Sequence, residues 1–462
     1  MVALAAMLSL SACSTMAPDY ERPAMPVQQS VGSTTNTATS AAQDFTPLPW
    51  QQVFVDPRLQ RVIEQAISNN RDLRVSLLNV EKAQAQYRIQ SASLLPTVAA
   101  TASQSNARSA VASSTSVQGQ TSHAGGLSVG FTSWELDLFG RVRSLKNEAL
   151  ESYLALAETG RSTRISLVAE VASNWLSVQA YERRLALAQD TLASQRKTLQ
   201  LTQSKHEMGV ASAVEVSQVQ TSVESARADV ASYSTALEQA RHALDLVVGS
   251  PVEQGLLPQS EEAPSGVALA SLPDTLPSTV LLRRPDVMAA EHSLKAANAD
   301  IGAARAAFFP TVSLSASVGQ GSNTLGNLFD TGTRTWSFVP SVSLPIFNAG
   351  SLKASLDVSE IQKSIEVAQY EKSIQSAFSE VADAMSARRH MAEQIDAQQA
   401  LVKASQTSYD LSNARWKNGV NSYLETLDAQ RSLYSARQSL ITLQLSDAVN
   451  RVTLYKVLGG EG

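Results

Sequence analysis

From Val216 onward, Val219, Val223, Ala226, Val230, Tyr233, Leu237, Ala240, Leu244 and Val247 follow at alternating steps of three and four. This unbroken 3.5-residue seam predicts a coiled-coil helix over 212–248. A second seam through Leu433, Ala436, Leu440 and Leu443 predicts another over 422–458. It then meets Asp447 and Asn450, so its far end is expected to pack differently or to be wetter. Ahead of each lies a very long helical stretch, 141–208 and 350–417, on the order of 100 Å long at ~1.5 Å per residue. Residues 59–93 and 286–307 also read as helices, the first ending before Pro96 and the second following a Pro-rich link over 251–285.

The period changes to two in 311–318. There Val312, Leu314, Ala316 and Val318 alternate with Thr311, Ser313, Ser315 and Ser317. In 336–346, Trp336, Phe338, Val342, Leu344 and Ile346 alternate with mostly small or polar residues. This is a strand signal with one apolar and one polar face. Segments 97–107 and 126–136 carry a weaker version in Leu127, Val129 and Phe131. Gly/Ser/Asn-rich stretches at 108–125 and 319–332 are expected as loose loops at an outer opening.

The two halves repeat each other. Lys205-His206-Glu207-Met208-Gly209-Val210-Ala211-Ser212-Ala213-Val214-Glu215 answers Arg415-Trp416-Lys417-Asn418-Gly419-Val420-Asn421-Ser422-Tyr423-Leu424-Glu425. The offset is 210 at Gly (419−209), Ser (422−212) and Glu (425−215). Leu94-Leu95-Pro96-Thr97-Val98 answers Phe308-Phe309-Pro310-Thr311-Val312, and Leu136-Asp137-Leu138-Phe139 answers Leu344-Pro345-Ile346-Phe347. A duplicated unit of about half the chain follows. The first copy spans 50–250, with a β-hairpin at about 97–136 and a helical hairpin at 141–248. The second spans 251–462, with a linker, a helix, a β-hairpin at about 311–346 and a helical hairpin at 350–458. The fold class is mainly α with a membrane β-barrel.

Four strands of about ten residues suit an outer-membrane barrel in length but cannot close one. An open edge in lipid would leave N–H and C=O groups unpaired. The chain must therefore pool strands with copies of itself: two copies give eight strands and three give twelve. Aromatics are only 5% of residues, as suits helices packed through small side chains. The net charge of −5 argues against a nucleic-acid partner.

Residues 1–12 read as a signal peptide, an apolar run too short to span a bilayer, although no Lys or Arg precedes it. Leu10-Ser11-Ala12-Cys13 resembles the bacterial lipoprotein box. The resemblance implies cleavage before Cys13 and a lipid on its sulfur, and Ser14 after it fits sorting to the outer membrane. Residues 13–49 then form an extended lipid-anchored linker. The five His are scattered, with no pair at i, i+3 or i, i+4, so no metal site is assigned. No nucleophile triad in supporting context, phosphate loop or HExxH-type spacing is present, so neither enzyme activity nor any cofactor beyond the lipid is expected.

Trp134-Glu135-Leu136-Asp137-Leu138-Phe139-Gly140-Arg141, Pro18-Asp19-Tyr20-Glu21-Arg22-Pro23 and Arg283-Arg284-Pro285-Asp286 resemble the outer membrane factor (TolC-like) family. More narrowly, they resemble its lipoprotein branch serving resistance-nodulation-division efflux pumps. The resemblance implies a homotrimer in the outer membrane of a Gram-negative bacterium, with a twelve-strand barrel continued by an α-helical barrel through the periplasm. It implies a periplasmic adaptor and an inner-membrane pump as partners, and a passive exit duct for drugs or other toxic small molecules. Metal-ion efflux, type I secretion or a non-conducting lipoprotein scaffold are the rival readings.

Glu425 and Asp428, at i, i+3, share a helix face one turn past Gly419. As a plain surface they would be solvated. Their match to Asp rings in the family implies a cation-favouring pore constriction at the periplasmic tip. Glu215 matches an acid that the family bonds to a Tyr and an Arg of the other repeat, but here those positions hold Trp416 and Asn421. The Trp416 N–H could donate and the Asn421 amide could pair, so a weaker or more apolar latch is expected. The turns Gly209-Val210 and Gly419-Val420 are expected to meet the adaptor's helical tips.

Overall fold

Helix dominates, with one four-stranded antiparallel sheet. The structure, a computed structural model, describes residues 15–32, 49–113, 116–259, 267 and 275–460. Cys13, the expected signal peptide and residues 33–48 of the expected linker lie outside them. In chain order the elements are β1 (Ser30–Gly32), α1 (Trp50–Val53), α2 (Pro57–Asn69), α3 (Arg71–Ala92), β2 (Ala99–Ser113) and β3 (Ser116–Leu136). Then come α4 (Arg141–Glu207), α5 (Ala213–Val248), β4 (Thr275–Pro277), α6 (Pro285–Ala306), β5 (Thr311–Ser322), β6 (Arg334–Ser343), α7 (Ser351–Lys417) and α8 (Tyr423–Val457). Two compact units divide them. One holds residues up to Ala24, Asn79–Leu156 and Ala289–Tyr370; the other holds Met25–Leu78, Ala157–Met288 and Glu371–Gly462.

The first unit contains the sheet, in the order β2-β3-β5-β6. Its register aligns like with like. Val312, Ala316 and Val318 oppose Val342, Phe338 and Trp336, while Val129 and Phe131 oppose Val318 and Ala316. The other face carries Ser128, Ser313, Ser317, Ser337 and Ser341, with Ser317 and Ser337 hydroxyls 2.7 Å apart. A register shift between Phe131 and Trp134 places Ser133 at φ 53, and its N–H donates to Ser315 Oγ at 2.9 Å. The shift keeps Trp134 and Leu136 on the apolar face.

The expected loop at 108–125 is corrected: β2 runs to Ser113 and β3 resumes at Ser116, paired throughout. Apolar alternation is missing there, yet the backbone pairing carries the ladder onward, with Asn106 and His123 side chains 2.7 Å apart across it. In the second hairpin β5 extends to Ser322 before a short 3-10 turn at Leu325–Asn327. β6 ends at Ser343, before Leu344 and Ile346, because Pro345 has no N–H to donate.

Asp137 of the Leu-Asp-Leu-Phe-Gly-Arg stretch caps α4, accepting from Val142 N–H (3.1 Å) and Arg143 N–H (2.9 Å). In the same unit residues 15–24, expected as linker, are extended but seated. Thr15 and Ser144 hydroxyls lie 2.7 Å apart, Asn298 donates to the Pro18 carbonyl at 2.7 Å, and Arg22 forks onto Glu291 at 3.0 Å. Burial alone would raise the Glu291 carboxyl, but bonds from Arg22 and Lys295 outweigh it and hold it below the ordinary carboxylate range.

In the second unit Phe54, Ile63, Val168, Trp175, Leu244 and Val452 form the main core, with Phe54 edge-on to Tyr455 at 5.4 Å. The helix expected over 59–93 is broken at Asn70, whose side chain accepts from Leu73 N–H at 2.8 Å and so starts α3 afresh. The α5 seam is buried or half-buried at every position. In α8 the seam slips by one residue: Ile441 is buried where Leu440 is only half so, and Ala448, Val452 and Tyr455 continue it. That end is packed differently: Asp447 holds Arg451 at the surface, and Asn450 donates to the Ala384 carbonyl. Arg284 is buried between Asp286 and Glu380, each 2.7 Å away, and donates to the Val457 carbonyl at 2.8 Å. Residues 25–32 add β1 against β4.

Candidate functional site: the two helical turns

Both turns end a long helix the same way. Gly209 has φ 73 and Gly419 φ 74, a left-handed conformation that costs glycine least. Gly209 N–H donates to the His206 carbonyl (2.9 Å) and Val210 N–H to Lys205 (2.8 Å). Gly419 and Val420 repeat this to Trp416 (3.0 Å) and Arg415 (2.9 Å). This pair of bonds is the Schellman motif, which satisfies the last helical carbonyls.

The entries into the return helices differ. Ser212 caps α5, its Oγ accepting from Glu215 N–H at 3.1 Å. Ser422 has the same extended backbone but makes no side-chain cap bond. There the Asn421 amide donates to Glu425 on the next turn. Asn421 therefore does not reach Glu215, and its expected part in a latch between repeats is corrected: a local partner four residues away wins.

Trp416 does join the repeats. It is 3% exposed, and its Nε1–H donates to Glu215 Oε1 at 2.8 Å. The ring lies edge-on to Tyr423 at 5.2 Å, and Lys205 Nζ stands 4.5 Å from its centroid. Val219, Trp416, Tyr423 and Leu427 form a small buried cluster. Tyr423 donates to Gln195 Oε1 at 3.1 Å, and burial pushes its phenol up to about 12. Trp416 thus sits between a cation and an acid of the first repeat, with its body packed in apolar contacts. The equivalent His206 is exposed, and its ring contacts the Ala211 carbonyl at 2.7 Å.

Glu425 and Asp428 are exposed, opposite the buried Tyr423, Thr426 and Leu427 on the same helix. Gly209, Val210, Gly419 and Val420 are also exposed, Val210 at 74% and Val420 at 66%. Met208, Val214 and Leu424 add exposed apolar surface beside them. Sequence reasoning missed Lys205, Gln195 and Tyr423. Tyr423 could have been found by running the α8 seam back through Leu427. The reach of Lys205 and Gln195 toward another helix leaves no trace in local pattern.

Among the described residues no helix is long and apolar enough to cross a membrane, and no His/Cys/Asp/Glu group could hold a metal ion.

The model of the outer membrane efflux protein family matches residues 62–250 and 276–460, one stretch in each repeat. The toluene efflux pump outer membrane protein TtgC of Pseudomonas putida is 47% identical over 454 residues, covering 98% of this chain and 93% of that protein. The cation efflux system protein CusC of Escherichia coli K12 is 38% identical over 455 residues, covering 98% and 97%. A crystal structure of a membrane protein from Pseudomonas aeruginosa superposes with a TM-score of 0.90 at 39% identity, covering 96% of this chain and 100% of that one. With both repeats matched and relatives aligned over nearly their full lengths, the chain belongs to the outer membrane efflux protein family.

Proposed function

We propose that this outer membrane efflux channel works as a homotrimer, a passive exit duct whose twelve-strand barrel crosses the membrane. The carrying observation is the sheet: one face apolar, one face serine-rich, and β2 and β6 both left with open edges. Such a sheet suits lipid on one side and water on the other only once its edges are closed by further strands. A non-conducting scaffold needs no such sheet. Native mass measurement in detergent should give three copies, each bearing a lipid on Cys13 that Cys13→Ser removes. A monomer overturns the architecture, and an unlipidated native chain overturns the anchor.

The duct carries what an inner-membrane pump delivers through a periplasmic adaptor, which meets the exposed turns at Gly209-Val210 and Gly419-Val420. Relatives named for toluene and for cations both align over almost the whole chain, which supports assigning the choice of cargo to the pump. Glu425 and Asp428, repeated in each copy, form an acidic constriction at the tip. In planar bilayers, Glu425→Ala with Asp428→Ala should lower cation over anion selectivity severalfold. Unchanged selectivity removes both residues from the pore.

A further inference from the structure

Antiparallel pairing alternates: a residue whose N–H and C=O point at one neighbour is followed by one whose groups point the other way. Gly321 N–H donates to the Thr333 carbonyl at 2.9 Å, and the β5–β6 register runs unbroken from Thr311↔Ser343 to Gln320↔Arg334. Odd-numbered residues of β5 and β6 therefore bond one another. The even residues of β6 (Arg334, Trp336, Phe338, Pro340 and Val342) turn their backbone groups to the free edge. Carrying the alternation through β3, the even residues of β2, Ala100 and Ala102 among them, turn theirs to the opposite free edge. On both edges these outward-bonding residues lie on the apolar face: Ala100 opposes Val129, and Phe338 opposes Ala316.

Pooling of strands in a barrel sets β6 of one copy against β2 of the next, and we propose that Pro340 leaves this seam between copies one hydrogen-bond donor short. The proposal rests on the reading that copies pool their strands. Copies sharing one membrane orientation hold like strands parallel, so β6 cannot pair antiparallel with another β6. β2 runs opposite to β6 within the sheet, and the next copy's β2 continues the alternation. Directly bonded residues share a face, so joining the even sets extends the apolar face across the seam, whereas a slip of one residue would reverse it. Proline has no N–H. β6 thus presents five outward carbonyls but four outward donors, and the gap falls at Pro340, opposite Leu314 and three pairs from the last pair of the ladder. In lipid a carbonyl without a donor is costly, so this is the weakest point of the seam.

Pro340→Val restores the donor and leaves every β5–β6 bond intact. The measurements are subunit exchange by native mass spectrometry and hydrogen exchange at the new amide, both on the full channel in detergent. The amide of residue 340 should be protected, and exchange of copies should slow about tenfold for one added bond per seam. Val342→Pro removes a second outward donor and should speed exchange, and it carries the test should Pro340→Val not assemble. Trimers in which the new amide exchanges as freely as a loop amide, or in which neither variant alters subunit exchange, overturn the proposal. A native chain that is monomeric overturns the pooling of strands on which it rests, a separate result.

Discussion

The two turns share a backbone and little else. Gly209 and Gly419 have nearly equal φ, and each turn closes with the same two carbonyl bonds. The first is self-sufficient: Ser212 caps its return helix, and His206 is exposed over its own turn. The second leaves Ser422 without a cap bond and commits Trp416 and Tyr423 to contacts with the first repeat. Duplication supplies the turn, and divergence at single positions decides which turn is capped by its own serine and which is packed against the other repeat.

The largest test removes the ring that makes the difference. Trp416→Ala empties the small buried cluster and breaks the bond to Glu215. Loss of a buried aromatic costs about 3–5 kcal/mol. Conductance in planar bilayers should rise severalfold, while His206→Ala should leave it near the native value. Equal effects at the two positions would mean that the turns are equivalent.

A second test uses pH. Folding raises the Tyr423 phenol from 10.0 to about 12 through burial. The folded tip therefore holds this proton more tightly than the unfolded chain. The contribution is fully present below pH 10 and is lost as pH rises toward 12. Two units correspond to roughly 2–3 kcal/mol. Thermal melts from pH 9 to 12 should fall less steeply for Tyr423→Phe than for the native chain. Tyr434 and Tyr455, also raised by burial, leave a residual slope in both. Identical slopes would show that Tyr423 is open to solvent in the folded chain.

Much of this scaffold was legible in sequence because its long helices bury a repeating stripe, and a repeating stripe is what periodicity detects. The apolar band of β5 and β6 was legible for the same reason. The continuation of β2 and β3 between Arg108 and Gly125 was not, because the sequence there shows no apolar alternation while the backbone ladder carries on. The break at Asn70 turns on one capping amide. At the tips, Glu215 and Trp416 were readable as candidates from the repeat offset. Which of Trp416 and Asn421 meets Glu215 was not, since Asn421 is equally able to bond Glu425 on its own helix, and does.

The smallest test separates the two turns by their caps alone. Ser212 Oγ accepts from Glu215 N–H, whereas Ser422 makes no such bond. Replacing a working N-cap serine by alanine costs about 1 kcal/mol. Ser212→Ala should therefore speed hydrogen exchange at the first-turn amides of α5 roughly fivefold, since about 1 kcal/mol corresponds to that factor. Ser422→Ala should change the first turn of α8 by less than twofold, because there is no cap bond to lose and Tyr423 and Leu427 hold that turn by burial. Equal acceleration would place a cap bond at Ser422 in solution and make the turns alike at their entries. The contrast would then rest on Trp416 alone, because the backbone bonds that close each turn are already matched within 0.1 Å.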